Sequence, residues 1–147
     1  MFSYLLAFSD NHYTAVFLTA LEYIIGLAEA LSLAVREREQ RVAHVLPLRD
    51  RIIGTTLEEI PESRLTGHPV SRLPNHCSFS FRNVDGNTLL TLLDSAGFAC
   101  SSGSACKTGN PEPSEVMTSI GLSPEWGLGS LRVTLGASTT PGHVEAF

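Results

Sequence analysis

The stretch 100–114 constrains the fold most, because a segment of this composition cannot pack a hydrophobic core. Its sequence, CSSGSACKTGNPEPS, is rich in Ser and Gly and poor in bulky side chains, which predicts an exposed, mobile loop. Cys106 lies in its middle. The backbone N–H groups of the loop and the start of a helix predicted after Pro113 would both favour a thiolate. Composition alone leaves two interpretations open: a reactive thiol, or an exposed linker that contains a cysteine.

An apolar run at 14–34 predicts a long helix near the N-terminus. Glu22, Glu29 and Arg36 are seven residues apart and share one stripe of that helix. The opposite stripe is apolar and contains Leu21, Ile24, Ala28, Leu31 and Val35. This two-sided pattern favours an amphipathic helix of a soluble protein over a bilayer span, so we expect no membrane partner.

The helix is predicted to continue through a charged segment and to be kinked or split at Pro47, which cannot donate a backbone hydrogen bond. Alternation of Cys77, Phe79 and Phe81 with polar residues predicts a half-buried strand, with Cys77 in the core. Further elements are predicted as follows: a strand near 64–66, a helix at 88–95, a strand at 98–100, helices at 114–120 and after Pro124, and a strand at 130–135. The fold class is therefore α+β, with a long N-terminal helix and short helices packed on a small, mainly antiparallel sheet.

The net charge and the cysteine and histidine residues limit the partners, the compartment and the metal sites that we expect for this protein. The formal net charge of −5 argues against a nucleic-acid partner, since such proteins usually present a basic face. Three cysteines without a disulfide framework favour a reducing compartment, and we expect the cytoplasm. No His and Cys residues have the spacing of a zinc site, so no metal is expected. His68 and His76 each lie close to a proline and are interpreted as structural.

Four sequence blocks resemble the C-terminal part of the NifS-like cysteine desulfurases, which belong to the class-V aminotransferases of PLP-dependent fold type I. These blocks are SSGSAC at 101–106, EPS at 112–114, GSLRVTLG at 129–136 and TT at 139–140. The resemblance divides the chain into an unmatched N-terminal segment, 1–22, and a cysteine desulfurase C-terminal small domain, 23–147. It implies that Cys106 is the catalytic nucleophile that carries the persulfide and that Arg132 binds the substrate carboxylate. Ala137 departs from the family, which commonly has an arginine there.

The lysine content of the chain bears on whether it can bind the family's cofactor. The family's pyridoxal phosphate (PLP) forms a Schiff base with a lysine amine, and the resemblance implies that this lysine belongs to a large domain upstream. The only lysine of this chain is Lys107, directly after the loop cysteine. We therefore assign no cofactor-binding residue here and expect PLP not to bind to this chain alone.

The resemblance implies a chain whose loop cysteine accepts sulfur from L-cysteine as a persulfide, for iron-sulfur cluster assembly or other sulfur transfer. The expected partners are cysteine as sulfur donor, a PLP-domain chain, and a sulfur-acceptor or scaffold protein. A homo-oligomer is also expected, because faces that a large domain would cover are apolar. Two alternatives stay open: a stand-alone persulfide carrier, and an inactive gene remnant.

Overall fold

A computed structural model describes residues 12–102, 113 and 115–147, with side chains from Val16 onward. The chain forms two compact units, Met1–Gln40 and Arg41–Phe147. Helices and a small antiparallel sheet make up the described part, which confirms the predicted α+β class.

The described part of the first unit consists of one long helix and the start of a second. Helix α1 is His12–Arg36 and helix α2 is Arg38–Glu59. Between them, the Glu37 N–H donates to the Leu33 carbonyl at 2.9 Å. The predicted split at Pro47 was wrong: α2 runs through Pro47, and the interruption lies at Glu37. A proline removes only one donor of the helical ladder, and on either side of it Val45 and Leu48 are buried in the core.

Length and composition would allow one described helical segment, Val16–Arg36, to cross a membrane. No residue in the apolar window of this segment is fully buried. Such a segment is weak evidence for a membrane span, so the expected absence of a membrane partner stays a prediction.

Three antiparallel strands form the sheet of the second unit, in the order β1 (Ser63–Leu65), β2 (His76–Phe81), β3 (Ser130–Thr134). The short helices of this unit are α3 (Gly86–Ser95), α4 (Glu115–Ser119), α5 (Pro124–Gly127) and α6 (Pro141–Ala146). In the register of β2 with β3, Ser78 lies opposite Arg132 and Phe79 opposite Leu131. Because side chains alternate along a strand, this register gives the sheet one apolar and one polar face.

The core lies between the apolar face of the sheet and α2. Residues of α2 spaced three and four apart supply one side, and alternate residues of β2 and β3 supply the other. Its buried members are Val45, Leu48, Ile52, Cys77, Phe79, Phe81, Leu131, Val133, Leu135 and Val144. Cys77 has no exposed surface, so its predicted core position is confirmed.

In the C-terminal half, one predicted strand is absent from the described structure and one helix was missed. Residues 98–100 form no strand; Ser101 alone makes an isolated antiparallel bridge to Arg132. Helix α6 was not predicted. Thr140 caps it by accepting a hydrogen bond from the His143 N–H, and the Thr140 N–H donates to the His143 ring in return.

Candidate functional site

The polar face of the sheet carries Arg132, which is the residue predicted to bind the substrate carboxylate. Arg132 is half-buried in the middle of β3, and its two neighbours along that face are Ser130 and Thr134. Within the described residues, no carboxylate forms an ion pair with Arg132. A partly buried guanidinium that pairs with no carboxylate of the described residues suits an external carboxylate, which its planar fork can bind through two hydrogen bonds.

Small hydroxyl side chains border Arg132 on this face. Ser78 lies directly opposite Arg132, and the Thr66 hydroxyl donates to the Ser78 hydroxyl at 2.6 Å. Further along β2 from Arg132, Ser80 is fully buried, and its hydroxyl donates to the Trp126 carbonyl.

His76 lies in a positively charged, partly desolvated part of this face. It begins β2 opposite Thr134, one step diagonally from Arg132. Burial lowers the pKa of His76 below its usual value, and the nearby charges of Arg72 and Arg132 lower it further. Both arginines repel a proton on this ring, so the neutral form of His76 is favoured.

The strand that holds Arg132 is tied to the start of the cysteine-bearing stretch. The Ser101 N–H donates to the Arg132 carbonyl at 3.1 Å, and the Arg132 N–H donates to the Ser101 carbonyl at 2.6 Å. Cys106 follows Ser101 by five residues. Five residues of fully extended chain span at most about 18 Å, which is the upper limit on the distance between Cys106 and Ser101.

Cys106 itself, and with it Lys107, lies outside the described residues, so its role as nucleophile stays a prediction. The two described cysteines are free thiols that differ in burial. Burial raises the pKa of Cys77 to about 11, and it also raises the pKa of the half-buried Cys100. Neither thiol is activated, since both pKa values move away from neutrality.

The described residues do not fit a PLP site. A PLP enzyme needs a lysine for the Schiff base and an acidic partner for the pyridine nitrogen, and the chain's single lysine is outside the described part. A cavity of about 530 Å³ lies on the apolar side of the second unit. Most of its lining residues are aliphatic or aromatic, including Ile52 and Phe147. No group of three or more His, Cys, Asp or Glu with metal-binding geometry occurs in the part of the chain that the structure describes. The expectations of no PLP and no metal on this chain stay predictions.

Sequence reasoning missed Ser101, Ser78 and Thr66 as neighbours of the candidate anchor. The alternation of polar residues along 76–80 placed Ser78 on the same side of its strand as His76, which was a usable signal. Which residue would face Arg132 depends on the pairing register, and no turn motif in the long connection between the strands fixes it.

Comparisons with known proteins agree on one family. A family model described as "Aminotransferase class-V" matches residues 19–147. The "Cysteine desulfurase IscS" of Methanosarcina thermophila is 42% identical over 122 residues, which is 83% of this chain and 30% of that protein. The "Cysteine desulfurase NifS" of Azotobacter vinelandii is 36% identical over 122 residues, again 83% of this chain and 30% of the relative.

Solved structures show the same partial likeness. A "NifS-like protein from Rickettsia africae" superposes with a TM-score of 0.67 at 26% identity, and the match covers 83% of this chain and 30% of that one. A second structure named "NIFS-LIKE PROTEIN" gives a TM-score of 0.69 at 25% identity with the same coverage. The chain thus spans about 30% of the length of these proteins.

Proposed function

Because the chain belongs to the class-V aminotransferase family and is cysteine desulfurase-like, we propose that it is the sulfur-accepting part of a cysteine desulfurase. In this function Cys106 receives the sulfur of L-cysteine as a persulfide and passes it to an acceptor or scaffold protein. Arg132 holds the substrate carboxylate. Polypeptide outside these 147 residues supplies the PLP chemistry, because the single lysine of the chain directly follows Cys106, whereas the family's Schiff-base lysine lies far upstream of the loop cysteine.

One observation supports the proposal above the others: the backbone bridge between Ser101 and Arg132. It connects the start of the cysteine-bearing stretch to the strand of the carboxylate anchor. A substrate held at Arg132 therefore stays within reach of a thiol five residues from the bridge. A guanidinium that pairs with no carboxylate in the described part of the chain, bordered by small hydroxyl side chains, is consistent with the binding of a small amino acid.

Reconstitution tests this function. The full 147-residue chain is combined with the PLP-bearing part of the Methanosarcina thermophila relative, and alanine formed from cysteine is measured together with persulfide on Cys106. We expect alanine and persulfide in equal amounts in the first turnover, and loss of both with Cys106→Ser. Alanine formation that survives Cys106→Ser, or persulfide on another cysteine, would contradict the proposal.

A second candidate is a stand-alone persulfide carrier, favoured by the lack of fit to PLP among the described residues. In a carrier, the Cys106 thiolate attacks the outer sulfur of a donor persulfide; the new S–S bond forms as the donor S–S bond breaks and the donor leaves as a thiolate. Incubation of the chain alone with glutathione persulfide separates the candidates. Loading and onward transfer without any PLP-bearing partner would favour the carrier, and failure in both assays would favour the inactive remnant.

A further inference from the structure

An open cleft lies in the second unit, where the loop from β1 reaches the start of β2. We call it the Arg72 cleft. Its volume is about 620 Å³, and the polar residues that line it are Thr66, His68, Ser71, Arg72 and His76. None of its described lining residues is acidic, although the formal net charge of the chain is −5. The Arg72 cleft is therefore a positively charged concavity on an acidic protein, which favours an anionic ligand.

The guanidinium of Arg72 has a buried nitrogen that the loop does not use. Its Nε donates to the His68 carbonyl and its Nη2 donates to the Thr66 carbonyl, each at 2.9 Å. These two bonds hold the loop in place. Among the described residues, Nη1 of Arg72 is the only buried side-chain nitrogen or oxygen without a hydrogen bond, and no carboxylate pairs with Arg72. Burial of a charged donor without an acceptor costs free energy, and an anion oxygen at Nη1 would remove that cost.

His68 presents a second donor to the same cleft. Its Nδ1 accepts the Val70 N–H at 3.1 Å and the Ser71 N–H at 2.9 Å. A ring nitrogen that accepts carries no hydrogen, so in the neutral ring the hydrogen is on Nε2. Because His68 is an exposed residue of the cleft lining, this N–H is available to a ligand.

The environment of the cleft disfavours positive charge, which an anion would offset. Burial lowers the pKa of Arg72 from its ordinary value. Burial, Arg72 and Arg132 together lower the pKa of His76. The candidate donors are the Arg72 guanidinium, the His68 ring and the Ser71 hydroxyl, and they come from different parts of the loop. A tetrahedral oxyanion has oxygens in several directions and can meet such a set, whereas the two oxygens of a carboxylate suit the planar fork of one arginine.

We propose that the Arg72 cleft binds a small tetrahedral oxyanion of the phosphate or sulfate class, with Arg72 as its main ligand and His68 and Ser71 as further donors. Arg132, the candidate carboxylate anchor, does not line this cleft. The proposal also needs neither Cys106 nor PLP, so it can fail or succeed independently of the proposed function.

Calorimetric titration of the full chain with sodium sulfate tests the site, with sodium chloride added to keep the ionic strength constant. The test variant is Arg72→Gln. The matched control is Arg51→Gln, which removes the same charge from an exposed residue that pairs with Glu145 outside the cleft. We expect saturable binding of sulfate, at least tenfold weaker binding by Arg72→Gln, and unchanged binding by Arg51→Gln.

A second pair of variants keeps the test valid if the loop opens in Arg72→Gln. His68→Asn and His68→Asp both retain a side-chain oxygen that can accept the Val70 and Ser71 N–H groups, as Asn and Asp commonly do in turns. The two variants differ by one negative charge. We expect His68→Asp to bind sulfate at least tenfold more weakly than His68→Asn, and circular dichroism of the two should be the same.

The imidazole of His76 locates the bound ion by NMR. Because the charge of Arg72 lowers the pKa of His76, a sulfate ion at Arg72 should raise that pKa in a saturable way, and this effect should disappear in Arg72→Gln. Inorganic phosphate and O-phosphoserine then distinguish the source of the oxyanion. Tighter binding of O-phosphoserine supports a phosphomonoester as the ligand, and tighter binding of phosphate supports the free ion.

Five outcomes would overturn the oxyanion site. They are the absence of saturable sulfate binding, equal binding by Arg72→Gln and the wild-type chain, equal binding by the two His68 variants, binding of acetate as tight as that of sulfate, and loss of sulfate binding in Arg132→Gln but not in Arg72→Gln. The last outcome would assign the ion to the candidate carboxylate anchor.

Discussion

Ser101 and Arg132 exchange two backbone hydrogen bonds, at 3.1 Å and 2.6 Å, although no regular strand contains Ser101. The pair fixes where the cysteine-bearing stretch leaves the sheet, directly beside the strand of the candidate carboxylate anchor. A reactive group on a short tether gains from such an attachment, because it searches a small volume around the bound substrate.

Breaking this bridge should slow sulfur transfer without removing any reactive group. Ser101→Pro deletes the N–H that donates to the Arg132 carbonyl. We expect the single-turnover rate of persulfide formation on Cys106 in the reconstituted complex to fall at least tenfold. Ser101→Ala is the matched control, because it keeps both backbone bonds, and it should retain the wild-type rate. Equal rates for the proline and alanine variants would show that the bridge does not position the thiol.

The positive charge of Arg132 should have a measurable effect on the pKa of His76. Because burial, Arg72 and Arg132 together lower the pKa of His76, removal of one positive charge makes its protonation easier. Arg132→Gln should therefore raise the pKa of His76, as measured by NMR titration of the imidazole signals, with His76→Gln used for assignment. Arg64→Gln is the control on the same face, since Arg64 is not among the charges that act on His76. An unchanged pKa of His76 in Arg132→Gln would contradict a position of the Arg132 guanidinium near the imidazole.

Gly129 allows β3 to approach the end of β2. A Cβ at this position would lie 2.0 Å from the Phe81 carbonyl oxygen, while the Phe81 N–H donates to the Gly129 carbonyl at 3.0 Å. Gly129→Ala must displace backbone, and we expect it to lower the free energy of unfolding by at least about 2 kcal/mol. Gly136→Ala, whose new Cβ would meet no atom within 4 Å, should change it by less than about 0.5 kcal/mol. Urea denaturation measures both; similar losses would contradict the close approach.

The apolar core could be predicted from local patterns because both of its sides have regular periods. Cys77, Phe79 and Phe81 alternate along β2, and Leu131 and Val133 alternate along β3, so burial of one face follows from a period of two. The fold class follows from the same rule. The structure confirms these predictions.

The neighbours of Arg132 could not be predicted in the same way, because they depend on long-range pairing. Ser78 and Arg132 are far apart in sequence, and a strand shifted by one residue would satisfy local propensity equally well.

The error at Pro47 has a different origin. The rule that a proline ends a helix considers the helix alone, whereas buried residues on both sides of Pro47 pack α2 into the core and stabilise it. Helix α6 was missed because only six residues form it and its main signal is the Thr140 cap.

Burial of Cys77 should make the stability of the fold depend on pH in the alkaline range. Its pKa is about 11 in the folded chain against a reference value of 9.0. Because the folded pKa is raised, the contribution of the neutral thiol is fully present below about pH 9 and is lost as the pH rises to about 11. Over this window the free energy of unfolding should fall by about 2–3 kcal/mol through this group.

Other groups also titrate in this range, so the measurement is a difference between two proteins. Urea denaturation of the wild-type chain and of Cys77→Ala is followed at pH 8, 9, 10 and 11. The alanine variant should start from a lower stability, because it leaves a small cavity, and should lose less of it with rising pH. Parallel pH profiles for the two proteins would contradict a desolvated Cys77 thiol.

Among the three cysteines, Cys106 should react first with an electrophile and should be the one that carries sulfane sulfur. Thiolates are the reacting species, and burial raises the pKa of both Cys77 and Cys100. Cys106 has Gly, Ser and Ala before it and Lys107 after it, which predicts access and a cation beside the sulfur. Limiting iodoacetamide at pH 7, followed by mass mapping, should modify Cys106 before Cys100 and leave Cys77 unmodified. In urea the three thiols should react at similar rates, which controls for intrinsic reactivity. First modification of Cys77 or Cys100, or uptake of one transferable sulfur from glutathione persulfide by Cys106→Ser, would contradict the assignment of the nucleophile.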